Sequence, residues 1–170
     1  MTSRRKIREM IYLGLMIGIA ISLNIFESII PIPTPVPGAK LGLANIAALF
    51  VIVQFGPREA VIVSVIRTFL GSLFSGTLFA PTFFLSFFGG LMSTLVMGLA
   101  YRLFKKHFSI IGISILGSIT HNLTQLTVAS VMFSNIGFFY LLPYLLFFAL
   151  PTGFFVGIVT NLMIKHSTFN

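Results

Sequence analysis

The sequence contains no aspartate, no cysteine and no tryptophan, and its only carboxylate side chains are Glu9, Glu27 and Glu59. Each absence closes a class of chemistry. Without aspartate there is no Asp-rich Mg²⁺–diphosphate site, no aspartyl dyad and no Asp-containing triad. Without cysteine there is no disulfide framework, no thiolate nucleophile and no cysteine metal site. No G-x-x-x-x-G-K-[ST] run is present, so no P-loop ATPase is expected. No second histidine or aspartate is placed to complete a metal site with His121, so neither a metal nor a cofactor is expected. With tryptophan missing, interfacial anchoring falls to four tyrosines and some of the twenty phenylalanines.

Apolar sequence fills the space. Of 170 residues 56% are hydrophobic and 8% charged, and the mean hydropathy is +1.04, more apolar surface than a soluble domain of this size can bury. The composition predicts an all-α integral membrane protein, a six-transmembrane-helix bundle forming one membrane domain over residues 1–170. The spans are expected at about 7–30, 41–55, 58–74, 81–104, 110–133 and 138–163. Prolines, and the Gly56-Pro57 pair, mark several boundaries. The N-terminal basic run before an apolar stretch mimics a signal peptide. The stretch is long enough to span and no small-residue cleavage site follows, so a retained first helix is expected.

The net charge of +8 does not indicate nucleic acid, because its distribution follows membrane topology. With the N-terminus inside, Arg4, Arg5, Lys6, Arg8, Arg58, Arg102, Lys105, Lys106 and Lys165 all fall on the inner side, nine of the eleven basic residues. Both termini are therefore expected in the cytoplasm. Two cations are left over: Lys40 in the first outer loop and Arg67 inside helix 3.

Lys40 follows the proline-rich Pro31–Gly38 stretch and precedes an apolar run, where it would oppose a helix macrodipole. It is expected to hold an anionic solute, snorkelling to lipid phosphates being the plainer alternative. Arg67 cannot shed its proton and needs an anion or carbonyls nearby. Ser64, Thr68, Gly71 and Ser75 share its face. Glu27, the one carboxylate well inside the apolar segments, is the candidate internal partner of either cation. Helix 5 carries Ser114, Ser118, His121, Asn122 and Gln125 on one face, at offsets of 4, 7, 8 and 11 from the first. Such a face can bind a solute or glue helices together. Asn45, and more weakly Asn24, could join the same site. The expected substrate-binding residues are thus Lys40, Asn45, Arg67, His121, Asn122, Gln125 and Glu27. Gly14, Gly18 and Ser22 form a small-residue ridge on helix 1 expected to meet a protein partner.

Several runs together resemble a known family. They are the proline-rich loop closing on PGAKLGLANI, Arg67 with the turn from Gly71 to Thr77, SFFGGLMS from Ser86 and SILGSITHNLTQL from Ser114. The sequence is similar to the heptaprenyl diphosphate synthase component I-like proteins, also called the Gx transporter family, over about residues 10–162. These are grouped with the S components of energy-coupling-factor (ECF) transporters. The resemblance implies a non-enzymatic subunit of the bacterial cell membrane. Such a subunit binds a small-molecule solute from outside, under the loop between helices 1 and 2. It docks on a transmembrane T component with two ATPase subunits. Gly14 and Gly18 stand where the superfamily has an Ala-x-x-x-Ala docking contact. The synthase label implies an alternative role as a non-catalytic membrane accessory of prenyl diphosphate synthesis, and hints at an isoprenoid or quinone-related solute.

Overall fold

The structure is a computed structural model that describes residues 3–29 and 38–167. Among these residues the chain is wholly helical: α1 (Ser3–Ile29), α2 (Asn45–Gln54), α3 (Pro57–Phe74), α4 (Pro81–Phe104), α5 (Ile110–Met132) and α6 (Leu142–His166). A 3₁₀ turn, Ile136–Leu141, leads into α6. Proline starts three of these helices, at Pro57, Pro81 and Pro143, where its missing N–H costs nothing. Pro151 is the only proline inside a described helix.

Three stretches among the described residues are long and apolar enough to cross a membrane: Lys6–Ile29, Pro81–Phe104 and Ile136–His166. Helix α5 has 23 residues, but its polar stripe lowers its hydropathy, and the stripe is buried in the bundle. Helix α3 likewise buries Arg67, Ser64 and Thr68.

The short helix α2 is the centre of the bundle. Every residue from Asn45 to Ile52 is buried, and α2 touches α1, α3, α4 and α6. Its apolar residues join Met16 and Ala20 of α1, Val63 of α3, Met97 of α4 and Ile113 of α5 in one core. A second cluster, Leu85, Leu126, Ala129 and Leu145, ties α4, α5 and α6 together. The α5–α6 contact is close because Gly153 and Gly157 bring α6 against the backbone of α5. A Cβ at either would lie 2.7 Å from the Cα of Ile115 or Ile111.

The second helix differs from expectation. It begins at Asn45, not Leu41, and spans ten residues. Gly42 adopts φ +89°, a left-handed conformation that interrupts any helix from Leu41. The backbone N–H groups of Gly42 and Leu43 are given to Glu27 instead of to a helix. Lys40 therefore does not stand at a helix N-terminus, and the macrodipole argument for it falls. The last helix is also divided, by the 3₁₀ turn. The stretch expected to close over the site falls almost entirely outside the described residues; only Gly38 is seen.

Candidate functional site

The site is assembled around the link 38–44, between α1 and α2. Glu27 in the last turn of α1 accepts hydrogen bonds at Oε1 from the N–H groups of Gly42 (2.7 Å) and Leu43 (2.9 Å). Two charge-assisted bonds to backbone amides pin the link to α1. A glycine is needed at position 42 on two counts. Its φ is positive, and a Cβ there would lie 2.9 Å from Asn45 Nδ2 and 3.2 Å from the His121 ring.

Lys40 is held from two sides. Its Nζ donates to Oδ1 (2.8 Å) and to the carbonyl (3.2 Å) of Asn24, and its backbone N–H donates to Gln125 Oε1 (3.3 Å). Burial pushes the Lys40 ammonium down to about 8, against the opposing attraction of Glu27. Neither expected pairing of Glu27 is formed: among the described residues no ion pair at contact distance joins it to Lys40 or Arg67. Its carboxylate serves the backbone, and both cations act on it only through the field.

The hydrogen bonds fix the polarity of the amides and of the imidazole. Because Gln125 Oε1 accepts from Lys40, its Nε2 faces His121 Nε2 at 2.9 Å as donor. His121 Nε2 is then the acceptor, and the ring proton of the neutral histidine lies on Nδ1. That N–H lies against Gly89, whose carbonyl is near but not in hydrogen-bonding geometry. Similarly, Asn45 Oδ1 accepts from Arg67 Nη2 (3.2 Å), which leaves Asn45 Nδ2 a donor without acceptor. Arg67 Nε is another. Asn45, Arg67 and His121 are 1%, 2% and 3% exposed, so water does not serve them from bulk. Among the described residues Asn45 Nδ2 and Arg67 Nε have no acceptor and His121 Nδ1 has only the poorly aligned Gly89 carbonyl, an unusual group of buried donors in one cluster. These groups lie beside a guanidinium, together with the unpartnered Ser64 hydroxyl, which can donate or accept. A group rich in lone pairs and negatively charged answers these donors.

Helix α4 leaves room for these side chains through Gly89 and Gly90. A Cβ at Gly90 would lie 2.6 Å from Arg67 Nη2, and one at Gly89 would lie 3.1 Å from both His121 and Gln125. In the sequence these glycines stand out only as part of the SFFGGLMS run, with no role of their own. The signal was the Gly-Gly pair lying in a helix opposite a polar face. Asn24, given little weight, proves to be the partner of Lys40.

The polar face of α5 divides. His121 and Gln125 join the cluster, whereas Asn122 turns towards α6 and donates from Nδ2 to the Leu145 carbonyl (2.8 Å). Ser118 faces Gly153 of α6. The structure thus brings Glu27, Lys40, Asn45, Arg67, His121 and Gln125 together and sets Asn122 as a brace beside them. On α1, Gly14, Gly18 and Ser22 all face outward, and nothing lies within 4 Å of a Cβ built at Gly14 or Gly18.

Residues 16–163 match the family model described as heptaprenyl diphosphate synthase component I. The chain belongs to this family. Comparison with curated proteins returns no match. Among solved structures the family member is similar to the S component of a bacterial ECF transporter, with 21% identity over 90% of this chain and 93% of that one and a TM-score of 0.58. The fold is therefore that of an S component.

Proposed function

We propose that the chain is the substrate-binding S component of an ECF-type transporter, which captures a small anionic solute from outside for ATP-driven uptake. The observation that carries this reading is the cluster of buried donors around Arg67, in a bundle with the S-component fold. Lys40 and Arg67 supply charge, Asn45 and His121 supply directional N–H groups, and Glu27, Asn24 and Gln125 hold the 38–44 link in place. Asn122 supports the site by tying α5 to α6. In this reading all six helices cross the bacterial cell membrane with both termini inside, and the Pro31–Gly38 stretch covers the solute. The subunit is not an enzyme. A T component with two ATPases supplies the energy and meets the open Gly14–Gly18–Ser22 ridge of α1.

The family description favours a second reading, a non-catalytic membrane accessory subunit of prenyl diphosphate synthesis. The two readings are separated by affinity purification of the chain from its native membrane. Recovery of a T component and ATPases, with uptake of the solute that stops when ATP hydrolysis is blocked, supports transport. Recovery of a soluble prenyl synthase whose activity rises with the chain and ignores ATP overturns it.

A further inference from the structure

We propose that a cleft at the basic end of the bundle, between the α2–α3 turn and the end of α4, binds the phosphate group of an anionic amphiphile. The cleft encloses about 610 Å³ and is lined by Arg58 of α3, by Arg102 of α4 and by Lys105 just beyond it. Its walls include Ile52 and Phe55, so charge and apolar surface stand side by side. Glu59 is the one carboxylate in the lining, which leaves a net charge of +2 from three cations and one anion.

Membrane topology accounts for the side on which these cations lie, and helix electrostatics for only part of their placement. Arg102 and Lys105 sit at a helix C-terminus, where a cation is favoured, but Arg58 is in the first turn of α3, where it is opposed. Glu59 stands in the same first turn, where a carboxylate is favoured. Among the described residues no ion pair holds Arg58, Arg102 or Lys105. The cleft is built rather than incidental, since Pro57 packs against Gly98 so closely that a Cβ there would lie 2.9 Å from Pro57 Cβ. That contact locks the start of α3 onto α4 and brings cations from two distant stretches of sequence to one opening. Three positive side chains around an apolar-walled cleft suit a phosphate ester whose remainder is apolar, as in the headgroup of an anionic lipid.

The test uses the full chain in neutral detergent, with native mass spectrometry reading bound dihexanoyl phosphatidylglycerol against dihexanoyl phosphatidylcholine. The wild type retains the anionic lipid preferentially. Arg58→Gln with Arg102→Gln and Lys105→Gln weakens its binding about tenfold or more, as the loss of three basic residues near a lipid headgroup implies. Arg58→Gln alone gives a smaller loss and serves if the triple variant does not fold. Lys106→Gln with Lys165→Gln, outside the cleft, leaves binding unchanged. Displacement by inorganic phosphate shows that the cleft reads the phosphate itself; retention against phosphate shows that the apolar wall is needed too. Equal binding of both lipids, no loss in the lining variants, or an equal loss in the Lys106/Lys165 variant overturns the proposal.

Discussion

Arg67 combines a permanent charge, nearly complete burial and, among the described residues, a single hydrogen bond, to Asn45. Removing such a side chain tests binding and folding at once, so graded substitutions are informative. Arg67→Lys keeps charge but loses the planar fork and the Nε donor. It is expected to fold and to bind the solute about tenfold or more weakly, as when one charged hydrogen bond of about 1.5–3 kcal/mol is lost. Isothermal titration against wild type reads this directly. Glu27 acts differently, because its carboxylate holds Gly42 and Leu43 rather than a cation. Glu27→Ala is expected to lower stability by about 1–3 kcal/mol through two unsatisfied amides, seen as an earlier thermal melt in detergent. Lys40 gives a pH signature. It is charged below about 8 and loses its proton above, with Glu27 favouring the charge and Arg67 opposing it. Affinity for an anion therefore falls as pH rises from 7 to 9; a flat profile would show that Lys40 contributes no charge to the guest.

At the scale of helices, the apolar runs and proline boundaries made five of the six elements legible, three of them to within a residue or two at each end. α2 was misread because the cause of its late start lies on another helix. Glu27 takes the amides of Gly42 and Leu43, an interaction fifteen or more residues away in sequence. The site was legible as residue types, since cations and amides in apolar runs need explanation. Its wiring was not, because pairing of Lys40 with Asn24, and division of the α5 face between α4 and α6, depend on how the helices pack. The glycines of α1 and α6, alike in sequence, make opposite predictions. Gly153→Ala or Gly157→Ala forces the backbone of α5 aside and is expected to destabilise the isolated protein by about 1–3 kcal/mol. Gly14→Ala and Gly18→Ala meet open space and leave the melt almost unchanged. If α1 docks on a partner, bulkier Gly14→Leu and Gly18→Leu variants abolish co-purification of that partner while the chain itself stays folded.

The whole molecule is a bundle whose outer surface is apolar and whose interior is unusually polar. Tyr140, Ile136, Val131 and Phe74 are largely exposed, while Asn24, Glu27, Arg67, His121 and Gln125 are buried. In water that arrangement would be inverted relative to solubility; in a bilayer it places the polar groups where a guest can be enclosed. Internal pairing alone would make the polar interior a structural device, but among the described residues it leaves Asn45 Nδ2 and Arg67 Nε without acceptors and His121 Nδ1 poorly served. The central claim is that a negatively charged solute completes that set. Mass spectrometry of small molecules released from the purified wild type and from the Arg67→Lys and Lys40→Gln proteins tests it most directly. The account predicts one acidic compound, stoichiometric with the wild type and depleted in both variants. Recovery of a neutral compound, or of the same acid in undiminished amount from both variants, would contradict it.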